Sequence, residues 1–206
     1  MAFALAGGDP DKPHIDGRVA RSQRTISHIV KALLDLLERD QAFRPTAHQV
    51  ARQAGVSRRA LYLHFDSLEA LFATAAERRA SEICAAWEPP ALDMPVRERI
   101  DWFVRRWSAL CEGLLSLQQA AALYEPVSPQ VRATLDRGRC WARTAAELAF
   151  LPELTSTSGE DRATLSRALH HVTSWTGWSD LRRQGADVEQ ASRAMRRLLH
   201  ALFDVR

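Results

Sequence analysis

The chain has 206 residues, 46% of them hydrophobic, and 28 Lys and Arg against 25 Asp and Glu give a formal net charge of +3. That supports a sizeable core in one large or two small domains, while no apolar run approaches the ~18 residues that a membrane-spanning helix needs. Cys84, Cys111 and Cys140 stand far apart with no C-x-x-C pair, which argues against a disulfide framework or a zinc site and fits a reducing cytoplasm.

In chain order, residues 1–20 begin MAFALAGGDPDKP, lack the basic start and apolar core of a secretory signal, and read as a flexible tail. Lys12 and Arg18 would let such a tail touch nucleic acid, although a tail without function is the simpler expectation. Ile26, Ile29, Val30, Leu33 and Leu37 then mark a first helix from about Arg21 to Asp40. The stretch TAHQVARQAGVSRRALYLHF, Thr46 to Phe65, has the layout of two short helices and a tight turn. Thr46 is placed to cap the first of them, with Val50, Ala51 and Ala54 on one face. Gly55 supplies a positive φ, Val56 plugs the corner, and Ser57 caps the next helix. Leu61 and Phe65 of that second helix face the core, leaving Arg58, Arg59, Tyr62 and His64 on other faces. This is helix-turn-helix geometry, in which the second helix presents its N-terminal half to base edges in a major groove.

Charge supports that reading. From Arg18 to Phe65 there are nine Arg and Lys against three Asp and Glu, a net of +6, so the remainder of the chain sums to −3. A basic patch on a near-neutral protein is the footprint of a DNA-binding head.

A fourth helix is expected over Leu68–Trp87, stopped by Glu88-Pro89-Pro90. The next, from about Pro95, carries Ile100, Phe103, Val104, Trp107, Cys111 and Leu114 on one face. Shorter helical segments follow near Ser116–Tyr124 and Pro129–Leu151, and Pro152–Gly159 reads as a loop. Glu160–Gln184 and Asp187–Phe203, separated by Gly185-Ala186, read as a closing helical hairpin. The fold is therefore all-α: an N-terminal three-helix head over residues 21–67 and a helical domain over 68–206, to which the family resemblance given below assigns ligand binding and dimerisation.

Of the six tryptophans, Trp107 is the best candidate for a binding pocket because it shares a face with Phe103 and Cys111; Trp141 and His171, of the pair His170-His171, join the candidate ligand-binding set. In the dimer bundle that the family resemblance given below implies, Trp175 and Trp178 are expected to pack. With no clear acidic pocket residue, since Glu112 and Glu147 can equally face solvent, an apolar or aromatic ligand is expected. No glycine-rich phosphate loop, nucleophile elbow or paired His at metal spacing is present, so no catalytic residue, metal or cofactor is expected. The competing class is a helical interaction or small-molecule-binding module without sequence-specific DNA binding, against which the +6 window argues.

The motif A-G-V-S-x-x-x-L-Y-x-x-F with the following S-x-E-A-L, Ala54 through Leu71, resembles the N-terminal domain of TetR-family transcriptional regulators. The resemblance extends from Arg21 to about Arg79; beyond it only the layout agrees. It implies a ligand-responsive repressor acting as a homodimer, with the last two helices (Glu160 to Phe203) pairing in a four-helix bundle. The two heads would then read successive major grooves of a roughly palindromic operator, and a small molecule in the body would change operator affinity through the fourth helix. It further implies phosphate contacts from Arg44, Thr46 and His64, a backbone or thymine-methyl contact from Tyr62, and base reading by Arg58 and Arg59 next to Ser57. Ala60 replaces a common threonine, and Leu68 replaces a common lysine, removing a phosphate charge.

Overall fold

The computed structural model describes residues 17–40 and 44–204, so the expected tail up to residue 16, with Lys12, and the Arg18 side chain lie outside the described part. The described residues form ten helices: α1 (Gly17–Asp40), α2 (Ala47–Gln53), α3 (Arg58–His64), α4 (Leu68–Ala86), α5 (Val96–Tyr124), α6 (Pro129–Ala149), α7 (Leu151–Thr155), α8 (Gly159–Val172), α9 (Trp175–Arg183) and α10 (Val188–Leu202). Among these residues no helix is long and apolar enough to cross a membrane.

Four boundaries differ from expectation, each for a local reason. Helix α1 starts at Gly17, so residues 17–20 are helical where a tail was expected; Val19 and Ala20 extend the helix, and Arg24 donates back to the Ala20 carbonyl. The break expected after Leu114 is absent, and α5 runs 29 residues, about 43 Å. Its apolar stripe changes partner rather than ending: Ile100 to Cys111 face one core, and Leu117 and Ala120 face another. Part of the loop expected over 152–159 is the short helix α7, with Pro152 in its first turn, where a missing N–H costs nothing.

The fourth difference matters most for the cavity below. The helix expected over 160–184 breaks at Thr173-Ser174. Ser174 caps the new helix α9 by accepting from Gly177 N at 3.0 Å, while its hydroxyl also donates to the His171 carbonyl at 2.8 Å. Glycine suits position 177, because a Cβ would lie 3.1 Å from the His171 carbonyl oxygen and the break would have to give by a few tenths of an ångström to admit it.

The head core is mainly aliphatic, built on Ile29, Leu33 and Leu37 of α1, Val50 and Ala51 of α2, Leu61 of α3 and Leu71 of α4, with Phe65 and Phe72 as its aromatic members. The body core is aromatic. Trp87, at the end of α4, lies 5.4–5.9 Å from the ring centroids of Trp102, Phe103, Trp107 and Trp141. Each such pair contributes about 0.5–1.5 kcal/mol beyond burial. Helix α4 is thus seated at both ends, with Leu68 packed on the head core and Trp87 in the aromatic cluster. Leu68 therefore has a packing role besides replacing a charge.

One buried ion pair fixes the body. Arg99, 2% exposed, pairs with Glu153 of α7 and donates to the Leu92 carbonyl at 2.8 Å. It thereby ties the α4–α5 loop and α7 to α5.

Candidate nucleic-acid interface and ligand cavity

The helix-turn-helix forms from short-range chemistry. Thr46 Oγ1 accepts from Gln49 N at 3.3 Å and Gln49 Oε1 accepts from Thr46 N at 2.7 Å, a reciprocal capping box. At the other end of α2, Gly55 takes φ +68°, and the Val56 and Gly55 N–H groups donate to the Ala51 and Arg52 carbonyls. That is the paired closure of a left-handed glycine stop. Ser57 then accepts from Ala60 N at 3.0 Å and starts α3.

Burying Leu61 and Phe65 fixes the rotation of α3. Arg58, Arg59 and Tyr62 consequently stand exposed, Ser57 is exposed at the cap, and Ala60 and His64 are half-buried. Leu63 is 75% exposed on the same helix. Sequence reasoning missed it, although its position two residues from both core anchors is enough to turn it outward. Arg58 and Tyr62 sit one turn apart, as do Arg59 and Leu63, so four neighbouring side chains form one cationic and apolar face.

Among the described residues none of Arg44, Arg52, Arg58 and Arg59 is held in an ion pair, whereas Lys31 of α1 is tied to Asp35 at 2.9 Å. Thr46 is exposed, but its hydroxyl and amide are engaged in the capping box, so Ala47 and His48 carry the helix-end N–H groups with no intrahelical acceptor. Arg44 is exposed where the head meets the body: burial and the Glu69 charge push the Tyr124 phenol up, and the Arg44 charge opposes them.

The body contains a cavity of about 430 Å³ between α4, α5, α6 and the α8–α9 break. Of the five side chains expected to bind a ligand, Trp107, Cys111 and Trp141 line it. Phe103 does not: it is fully buried behind Trp107, stacked on it at 4.9 Å. Nor does His171, which is exposed; one residue is 100° of helix rotation, and the lining histidine is His170. His170 Nε2 sits 2.8 Å from Glu147 Oε1, which also accepts from Ser166.

Neither Trp175 nor Trp178 is free for a dimer bundle in the expected way. Trp178 is wholly buried in the chain's own core and donates to Glu112 at 2.7 Å. Trp175 lines the cavity, because the α8–α9 break turns it there. Trp107 closes that break by donating to the Thr173 carbonyl at 2.8 Å. Cys111 is buried, and burial pushes its thiol well above the ordinary 9.0, with Glu112 adding to the shift; Cys84 and Cys140 are exposed.

The cavity and the head are not separate. Ala76, Leu114 and Leu117 line the cavity and also belong to, or pack against, the head core. Among the described residues no group of three or more His, Cys, Asp or Glu is placed to hold a metal ion.

Residues 29–75 match the sequence profile of bacterial regulatory proteins of the tetR family. No curated protein is a significant match to the chain. A transcriptional regulator from Rhodococcus sp. Rha1 superposes with a TM-score of 0.64 at 16% identity, over 87% of this chain and 96% of its own. A tetR-family regulator from Streptomyces coelicolor gives 0.61 at 20% identity, over 87% and 79%. The multidrug binding protein EbrR, complexed with imidazole, gives 0.55 at 16% identity, over 84% and 93%.

Proposed function

From a chain that carries the DNA-binding head of the TetR family, we propose a homodimeric repressor that binds a roughly palindromic operator and is released or retained by a small molecule in the body. The observation that carries the switch is the sharing of Ala76, Leu114 and Leu117 between the cavity wall and the head core. A ligand that moves those side chains changes the packing beneath α1 and α4, and with it the separation of the two recognition helices. A coupling of ~1–3 kcal/mol is typical of such devices. A fold neighbour that binds multiple drugs is in keeping with an effector in this body.

On DNA, Arg58 and Arg59 read base edges, Tyr62 and Leu63 meet backbone or thymine methyls, and His64 with the start of α2 at Thr46 meets phosphates. Arg44 adds a phosphate contact from the preceding loop. Dimerisation uses the last helices, Glu160 to Phe203. In support, α8 buries only Leu169 in the single chain, and Leu198 of α10 is 50% exposed.

The test is a footprint of the full-length protein on the DNA upstream of its own gene, repeated at rising salt. A protected, pseudo-symmetric site whose affinity falls steeply with salt is expected. Protection of no fragment, or salt-insensitive binding, contradicts the reading and favours an interaction module.

A further inference from the structure

The geometry points to an amphipathic organic anion as the molecule that fills the body cavity: an apolar ring or chain with an oxygen acceptor and a negative charge. This rests on the proposed effector role of the cavity and adds to it the chemical class.

Two observations converge. The first is a donor without an acceptor. Trp107 and Trp178 both satisfy their indole N–H groups, through the Thr173 carbonyl and Glu112. Trp175 Nε1 is buried with no hydrogen-bond partner, and Trp175 lines the cavity. Buried indole N–H groups are ordinarily paired, and leaving one unpaired is costly. A ligand oxygen supplies the missing acceptor.

The second is charge. Arg137, Arg139 and Arg143 of α6 line the cavity against one carboxylate, Glu77. Glu77 is already tied to Arg137 at 2.8 Å, and Arg139 is tied to Glu125 and Asp136. Arg143 is exposed and, among the described residues, in no ion pair. His170 is engaged with Glu147, which is not itself a lining residue. A cationic ligand would find no uncommitted lining carboxylate and would face Arg143. The rest of the wall, including Trp107, Trp141, Leu110 and Leu114, is apolar and suits the body of such a molecule.

The experiment uses three probes of one shape on the full-length protein, titrated calorimetrically: 2-naphthylacetate, its neutral methyl ester, and 2-(2-naphthyl)ethylammonium. The acetate should bind at least tenfold more tightly than the ammonium. Arg143→Gln should remove the advantage of the acetate over the ester while leaving ester affinity within twofold. Trp175→Phe should weaken acetate and ester alike, by roughly fivefold for one hydrogen bond, with thermal unfolding of the unliganded protein confirming an intact fold. Equal or tighter binding of the ammonium, no binding of the acetate up to millimolar, or an Arg143→Gln variant with unchanged acetate affinity overturns the assignment. Operator binding measured in parallel separates the two proposals. An acetate that occupies the cavity without altering operator affinity contradicts the switch and leaves the ligand class standing. An ammonium that binds more tightly and alters operator affinity does the reverse.

Discussion

On the head, Arg58 and Arg59 stand exposed on α3 with no carboxylate partner among the described residues, whereas in the body Arg137 is tied to Glu77, Arg139 to Glu125 and Asp136, and Arg99 is sealed against Glu153. The head therefore presents cations held ready for an external anion, and the body mostly consumes its own. The cores differ in the same sense. The head packs mainly Ile, Leu and Val side chains, while the body packs Trp and Phe around a cavity that those bulky rings do not fill. The surface proposed to meet DNA is exposed and its arginines unpaired among the described residues; the region proposed to admit a small molecule is made of large, imperfectly nested pieces.

The contrast can be broken most severely through Arg99. Arg99→Ala leaves Glu153 half-sealed without its counter-ion, and we expect a loss of about 3–5 kcal/mol in denaturant unfolding. A loss under 1 kcal/mol would mean that water reaches this pair and the body is looser than described. Next in size is the head: Arg58→Ala should lower operator affinity by about 1–3 kcal/mol and relax preference at one base pair. Equal losses on specific and random duplexes would make Arg58 a phosphate clamp.

Alkaline titration sharpens the picture of the body. Folding raises the Cys111 thiol pKa, so the contribution of this group is intact below its ordinary 9.0 and is lost as pH climbs above it. Between about pH 9 and 10 the unfolding free energy should fall by up to ~1.4 kcal/mol per pH unit from this thiol, and Cys111→Ala should flatten that slope. An unchanged slope would assign it to other groups, such as Tyr124. A smaller effect is expected at the α2 cap, where Thr46→Ala removes the capping-box hydroxyl and should cost about 1 kcal/mol of stability. If operator binding falls by much more than stability does, Thr46 also serves a phosphate. Leu68→Lys should change least: the partly buried leucine gives up head packing while the new ammonium gains phosphate attraction. A salt-dependence slope increased by about one would show that the charge reaches the backbone.

The head was legible in the sequence because its signals are local. Thr46, Gly55 and Ser57 each act within four residues, and Leu61 with Phe65 fixes which way Arg58 and Tyr62 point. The body obeyed longer-range constraints. Helix formers such as Gln118, Ala120 and Ala122, with no proline before them, allow α5 to continue past Leu114; what no local signal gives is that Leu117 and Ala120 find the head core after Cys111 leaves the body core. The break at Thr173-Ser174 is written in Ser174 and Gly177, but a continuous apolar pattern through Trp175 and Trp178 masks it. That break sends Trp175 to the cavity, and a single residue of helix phase separates the lining His170 from the exposed His171.

If the cavity wall and α3 belong to one packed core, occupancy of the cavity is felt on DNA, and fluorescence anisotropy of an operator duplex with the full-length protein reads it, with and without saturating 2-naphthylacetate whose occupancy is established calorimetrically. Operator affinity should change by roughly 5–150-fold, with the reciprocal change in ligand affinity when operator is bound. Identical operator affinity for the free and fully occupied protein would contradict it.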